Sequence, residues 1–117
     1  MEIIFEISGT TLVAELFGEM DHHSSEKIRN DIDETMVNYG AKHLIFDFSR
    51  VTFMDSSGIG IILGRYKKWK EKGGIIIVTG CSAQIRNILN MAGVFSLIEY
   101  MDTKKEAVEY LQRKEVS

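Results

Sequence analysis

The sequence predicts a single α/β domain with a mixed sheet of about five strands and about four helices. The chain has 117 residues, a length that fits one domain with its own core. Apolar strand-like segments alternate with amphipathic ones in the order ββαβαβαβα, which is typical of parallel strands joined by right-handed crossovers. Proline is absent, and the ten glycines fall mostly between these segments as turn markers. The order of the strands within the sheet stays open.

A hairpin is predicted at the start of the chain. Ile3, Phe5 and Ile7 alternate with polar neighbours, as in a half-buried strand. Residues 9–11 follow as a turn, and residues 12–17 form a second strand. We expect this pair to supply an antiparallel edge of the sheet.

The hydrophobic period then lengthens and predicts a first helix over residues 22–38. Gly40 stands where a helix-ending glycine belongs. The apolar positions that fall about one turn apart are Ile28, Ile32, Met36 and Tyr39.

The middle of the chain predicts two further strands around a second helix. Residues 42–49 read as a mostly apolar strand, and residues 75–79 as a strand covered on both faces. The helix between them starts near Ser57 and ends at the glycine pair of residues 73–74. Its apolar face consists of Ile59, Ile62, Leu63, Tyr66 and Trp69.

The last part of the chain predicts a third helix capped by Ser82, a short strand over residues 95–100, and a final helix capped by Asp102 or Thr103. The residues that these two helices are expected to bury are Ile85, Ile88 and Leu89, and then Ala107, Val108 and Leu111.

Composition narrows the classes of function. The formal net charge of −3 disfavours general nucleic-acid binding, whose affinity depends on cationic charge. Cys81 is the single cysteine, so an internal disulfide is excluded and a reducing compartment is favoured. No apolar run is long enough to span a bilayer, and residues 1–8 do not resemble a signal peptide. We expect a cytoplasmic domain without a nucleic-acid or membrane partner.

The most informative segment is FMDSSGIG at residues 53–60, which joins the third strand to the second helix. Ligands and partners meet parallel sheets at the carboxyl ends of strands, and a helix start favours oxygen acceptors. Asp55 or Ser56 could serve only as a helix cap. However, Gly58 and Gly60 cost the helix roughly 1 kcal/mol each relative to alanine, and bare backbone lets another molecule approach closely.

Two other polar stretches have simpler interpretations. Asp21 is a candidate cap for the first helix, with His22 and His23 as solvated residues, and adjacent histidines on a helix are a poor metal pair. No metal or cofactor is therefore expected. The basic run over residues 65–72 predicts a solvated helix face, with its two aromatic residues on the buried side. Cys81 is interpreted as a loop or partly buried thiol and not as a nucleophile.

Three stretches, GEMDHH at residues 18–23, FMDSSGIG at residues 53–60 and LGRYK at residues 63–67, resemble those of the anti-sigma factor antagonists. That family belongs to the STAS-domain group, and the likeness is closest to its sporulation branch, whose members release sigma-F. The resemblance extends over nearly the whole chain, so residues 1–117 are expected to form one STAS domain.

The resemblance implies a phosphorylation switch at Ser56, the serine directly after the aspartate. In the family, the unphosphorylated antagonist binds an anti-sigma factor that is itself a serine kinase with bound ATP or ADP, and the sigma factor is released. Phosphorylation ends that binding, and a PP2C-type serine phosphatase restores it. The chain would then be a regulatory protein of sporulation and cell differentiation without catalytic residues. The residues expected to contact the partner are Asp21, His22, Asp55, Ser56, Ser57, Gly58, Ile59 and Gly60.

Three alternatives stay open. An enzyme would use Ser56 or Ser57 as nucleophile, but the Gly-x-Ser-x-Gly elbow is absent and no histidine follows His43. A nucleotide-binding domain would use the glycines of residues 58–64, but that run lacks the P-loop lysine. An antagonist in a stress-response sigma pathway has the same predicted fold and switch.

Overall fold

A five-stranded sheet with strand order β1-β2-β3-β4-β5 forms the centre of the molecule. The computed structural model describes residues 1–116. Strand β1 runs antiparallel to β2, and every later neighbour in the sheet is parallel. The strands are β1 (Glu2–Ser8), β2 (Thr11–Met20), β3 (His43–Met54), β4 (Ile76–Thr79) and β5 (Glu99–Met101).

The helices lie on both faces of this sheet, so the predicted α/β class is confirmed. Each crossover from β2 onward moves one strand along in the same direction, so right-handed connections place the first three helices on one face. The last helix covers the other face. The helices are α1 (His22–Asn38), α2 (Ser56–Lys70), α3 (Ala83–Met91) and α4 (Lys104–Val116), with a short 3₁₀ turn at Val94–Ser96.

Successive side chains of the parallel strands point to opposite faces of the sheet, so one hydrophobic cluster forms on each face. In β2, Leu12 and Leu16 point to the cluster under α1, α2 and α3, whereas Val13 points to the cluster under α4. All four residues of β4 are buried, as predicted for a strand covered on both faces. Within residues 1–116, no helix is both long and apolar enough to cross a bilayer.

The first helix confirms its predicted limits but corrects one of its apolar positions. Ile28, Ile32 and Met36 are fully buried, and Gly40 has the positive φ of +61° expected after a helix end. Tyr39 was expected on the same face but is 66% exposed. It is the C-cap residue, where the chain leaves the helix, so it no longer follows the helical period.

Two strand predictions are also corrected. The third strand ends five positions later than expected, because β2 and β3 stay paired as far as Met20 and Met54 through two local irregularities in register. Residues 95–100, expected to be one strand, are split. The N–H of Ile98 donates to the carbonyl of Val94 at 2.9 Å and closes a turn before β5 begins.

Candidate functional site

Two helix starts lie side by side where β2 and β3 end. Met20 and Met54 are register partners, so the next residues, Asp21 and Asp55, precede α1 and α2 at the same edge of the sheet. The backbone N–H of Asp55 donates to the carbonyl of Met20 at 3.2 Å. The two stretches singled out in the sequence are therefore brought together by parallel strand pairing.

The Asp55 carboxylate joins the two helix starts. Its Oδ1 accepts from the N–H of Ser57 at 2.8 Å, which caps α2. Its Oδ2 accepts from the N–H of His22 at 3.2 Å. This N–H lies in the first turn of α1, where backbone donors have no acceptor within the helix. The capping role was predicted from the sequence, but the bond to His22 was not, because it depends on how the two strand ends are aligned.

Asp21 forms a capping box at the start of α1. Its Oδ1 accepts from the N–H of Ser24 at 3.0 Å, and Ser24 Oγ accepts from the N–H of Asp21 at 3.2 Å. The hydrogen bond from the Ser24 backbone, opposed by burial, lowers the pKa of the Asp21 carboxyl below its usual range. The site therefore presents an ionised carboxylate beside the start of α2.

Ser56 occupies the first helical position of α2 and is exposed. Among residues 1–116, no hydrogen bond holds its hydroxyl, whereas the neighbouring Ser57 is half-buried. An exposed hydroxyl without an acceptor is accessible to another protein.

The two glycines of this segment have different surroundings. A Cβ on Gly58 would lie 2.5 Å from Met54 Cγ, and Gly58 is buried. The expectation that Gly58 presents bare backbone to a partner is therefore wrong; its missing side chain makes room for Met54. Gly60 is exposed, and a Cβ there would meet nothing within 4 Å. Ile59 between them is half-buried against the core.

The histidines at the start of α1 are both exposed, with ring centroids 6.1 Å apart and planes inclined by 63°. Within residues 1–116, no group of three or more His, Cys, Asp or Glu side chains is arranged to hold a metal ion. His22 enters the site through its backbone N–H, because that group donates to Asp55.

The basic side chains of α2 are exposed to solvent, with the exception of Arg65. Lys67, Lys68 and Lys70 are exposed and Trp69 is buried, as predicted. Arg65, expected among the solvated charges, is only 7% exposed. Its Nε lies 2.9 Å from Asp33 Oδ1 on α1, because the two helices pack side by side.

The cysteine is not a nucleophile in this environment. Burial, opposed by the charge of Arg86, raises the pKa of the Cys81 thiol to about 12. The thiolate is the reactive form, so Cys81 stays protonated at neutral pH.

The chain is similar to known proteins over nearly its whole length. The model of the STAS domain matches residues 2–107. An anti-sigma F factor antagonist of Paenibacillus polymyxa is 34% identical over 112 residues, which is 96% of either chain. An anti-sigma-B factor antagonist of Listeria monocytogenes is 25% identical over 76% of this chain and 77% of its own.

Solved structures give the same result. The anti-sigma factor antagonist SpoIIAA in its unphosphorylated form superposes with a TM-score of 0.76 at 31% identity, over 95% of this chain and 98% of the other. The phosphorylated form from Bacillus also gives 0.76, at 33% identity, over 94% and 99%. A putative antagonist from Thermotoga maritima reaches 0.88 at 17% identity, over 94% of both chains, and so shares the fold.

Proposed function

This chain belongs to the STAS-domain family and is an anti-sigma factor antagonist of the SpoIIAA type, and we propose that phosphorylation of Ser56 switches its binding to an anti-sigma factor. The exposed Ser56 hydroxyl at the first position of α2 carries the proposal. In the unphosphorylated state the chain binds the anti-sigma factor, a serine kinase with bound nucleotide, and the sigma factor is released. The chain itself is a substrate and not an enzyme.

The docking surface in this proposal is the edge where α1 and α2 begin. Its polar groups are held in place before any partner arrives, because Asp55 bonds both helix starts and Asp21 is fixed by its capping box. Preorganised groups lose little conformational freedom on binding. We assign the partner contacts to Asp21, His22, Asp55, Ser56, Ser57, Ile59 and Gly60, and leave Gly58 to the packing of Met54.

Phosphorylation would act through charge and volume. It adds about −1.5 to −2 charges and three acceptor oxygens. A partner packed closely on Ser56 would have to desolvate this dianion and make room for it, at a cost of roughly 3 kcal/mol, even if cationic side chains lie farther out at the rim of the interface. A partner adapted to the neutral hydroxyl would therefore lose two orders of magnitude or so in affinity.

The fold need not change for this switch to work. A helix N-terminus accepts an anion readily, so phosphate on Ser56 is compatible with α2. The phosphorylated form of SpoIIAA matches this chain over 94% of its length, so a phosphorylated relative has the same fold.

We further propose that a PP2C-type serine phosphatase restores the free hydroxyl in the cytoplasm and that the cycle controls sporulation through sigma-F. The identity to an anti-sigma F factor antagonist over 96% of the chain supports this branch. The lower identity to the anti-sigma-B factor antagonist of Listeria keeps a stress-response pathway as the second candidate. The choice between them depends on which anti-sigma factor binds.

Nucleotide binding by the glycine run is not favoured by the geometry. Residues 58–64 lie inside α2, where helical hydrogen bonds engage the backbone N–H groups that a phosphate-binding loop would present.

The deciding experiment is incubation with the purified anti-sigma factor of the same organism and ATP, followed by mapping of the phosphopeptide. We expect phosphate on Ser56 and full retention of that site in Ser57→Ala. Phosphate recovered on Ser57, or none on either serine, would contradict the proposed switch.

A further inference from the structure

Strands β2 and β3 extend beyond the rest of the sheet. The pairing of β1 ends opposite Phe17, and the pairing of β4 ends opposite Asp47. Residues 18–20 and 51–54 therefore form a two-stranded projection without a strand partner on either side. We call these residues the β2–β3 tip; α1 and α2 begin directly after it.

The tip presents one large apolar side chain to solvent. Phe53, opposite Glu19 in the ladder, is 46% exposed. Its neighbour Met54 is buried under α1 and α2, so strand alternation directs Phe53 to the other face of the sheet. That face is covered by α4 only farther along the strands, at Val13 and Ile45. Within residues 1–116, the hydrophobic cluster under α4 does not include Phe53.

The two helix starts beside Phe53 are acidic. The stretches over residues 18–26 and 51–64, which contain the tip and both helix starts, include four carboxylates and neither lysine nor arginine, whereas the exposed Lys27 and Arg50 border them in the chain. Those carboxylates are Glu19, Asp21, Glu26 and Asp55. A complementary surface would present an apolar pocket bordered by cationic side chains.

Phe53 and Ser56 are close enough to be covered together. They are three positions apart in the chain, so their Cα atoms are at most about 11 Å apart. A typical interface covers about 800 Å² on each protein, which corresponds to a patch about 30 Å across. Exposed aromatic residues near the centre of such patches contribute a large share of the binding energy.

We propose that Phe53 is the apolar anchor of this docking surface and inserts into a pocket of the anti-sigma factor that is bordered by lysine or arginine. This inference rests on the proposed function and specifies what the partner must present. Ser56 then controls an interface whose affinity comes largely from a side chain that is not modified.

A matched control exists at the opposite edge of the sheet. Leu97 is 54% exposed and lies just before β5, at the amino ends of the parallel strands. Leu97→Ala removes a comparable exposed apolar side chain far from the helix starts. Phe53→Leu keeps an apolar group at the tip.

The test is calorimetric titration of the nucleotide-bound anti-sigma factor with the full-length chain and these variants. We expect Phe53→Ala to raise the Kd at least about tenfold, Phe53→Leu to recover most of the affinity, and Leu97→Ala to stay within about twofold of wild type. Raising the salt from about 50 to 300 mM should weaken binding, since charged groups at the rim are screened.

Each failure has a distinct meaning. Equal affinities for Phe53→Ala and Leu97→Ala, with tight wild-type binding, would overturn the anchor and leave the proposed function intact. Absence of binding by the unphosphorylated wild type would overturn the proposed function and this inference with it. Binding that does not respond to salt would overturn the cationic border of the pocket.

Discussion

The Asp55 carboxylate accepts a hydrogen bond at 3.2 Å from the backbone N–H of His22, a residue 33 positions earlier in the chain. The other oxygen of the same carboxylate caps α2 through Ser57 at 2.8 Å. One side chain therefore satisfies donors at the starts of two helices. This arrangement fixes the position of Ser56 relative to α1.

Replacement of Asp55 by alanine should lower both stability and partner affinity. Loss of a helix cap costs about 1 kcal/mol, and loss of the bond to His22 adds to it, so we expect a total of about 1–2 kcal/mol in urea unfolding. Ser82→Ala is the control, because Ser82 caps α3 in the same way through the N–H of Ile85. It should lower stability by about 1 kcal/mol and leave affinity for the anti-sigma factor unchanged. Equal affinities for the two variants would remove Asp55 from the docking surface.

Substitutions at Ser56 should separate binding from modification. Ser56→Ala keeps the small neutral surface, so it should bind the anti-sigma factor within about threefold of wild type and accept no phosphate. Ser56→Asp places a permanent charge where the partner packs on a neutral hydroxyl, and the cost of desolvating that charge should weaken binding by about tenfold or more. Binding is measured by calorimetry and modification by mass spectrometry. Tight binding by Ser56→Asp would show that charge at this position does not control the interface.

Alanine substitutions at the glycines of α2 should change the free energy of unfolding in opposite directions. Gly60→Ala and Gly64→Ala should each raise the free energy of unfolding by about 0.5–1 kcal/mol, because a Cβ at either position meets nothing within 4 Å. Gly58→Ala should lower it by about 1–3 kcal/mol, because Met54 must move.

Partner binding distinguishes the two stabilising changes. Gly60 is exposed near the start of α2, so its added methyl group should weaken affinity for the anti-sigma factor. Gly64 lies one turn farther on, and its alanine variant should bind like wild type. If Gly60→Ala is stabilised and binds normally, the bare backbone there has no role in docking.

The sequence predicts the parts of this site that depend on local rules, and misses those that depend on alignment between elements. A carboxylate before a helix is recognisable as a cap, so Asp21 and Asp55 were identified. The bond from His22 to Asp55 follows from the register of Met20 with Met54, which no local pattern reveals. The contact of Gly58 with Met54 is local in sequence, but the orientation of the Met54 side chain depends on how the end of β3 turns into α2.

Long-range packing also explains why Arg65 is buried. The helical period places Tyr66 and Trp69 correctly, but the burial of an arginine requires a partner on another helix. That partner is Asp33 of α1, whose side chain also lies 3.4 Å from Lys68 Nζ. The sequence places four acidic residues on the neighbouring amphipathic helix, and nothing in their pattern specifies which of them pairs with Arg65.

Replacing the acidic and the basic member of the ion pair between α1 and α2 should lower the free energy of unfolding by different amounts. Arg65 Nε lies 2.9 Å from Asp33 Oδ1, but the N–H is not directed at the oxygen, and neither Nε nor Nη1 of Arg65 has a hydrogen-bond acceptor within residues 1–116. Asp33→Ala leaves a buried cation without its counter-charge and should cost about 2 kcal/mol. Arg65→Met should stay within about 1 kcal/mol of wild type, because it replaces a poorly bonded charge by apolar contacts. Urea unfolding of both variants measures the difference, and equal losses would contradict this account.

His43 should make the stability of the domain dependent on pH. Its ring is buried at the start of β3, where Nδ1 accepts from the N–H of Ile75 at 2.9 Å and Nε2 lies 3.4 Å from Glu115 Oε1. Burial lowers the pKa of His43 below its usual value near 6.5; Glu115 opposes this shift and Lys42 adds to it. Protonation of Nδ1 would also break the bond from Ile75, so the folded state favours the neutral ring.

The sign of the dependence follows from that shift. The unfolded chain binds a proton at His43 more readily than the native state does, so the stabilisation is complete above about pH 6.5 and is lost as pH falls through the folded pKa. His43→Gln should flatten the plot of unfolding free energy against pH between about 5 and 7. Glu115→Gln should steepen the plot, because the charge that favours protonation in the folded state is gone. A steep profile that survives in His43→Gln would assign the acid sensitivity to another group.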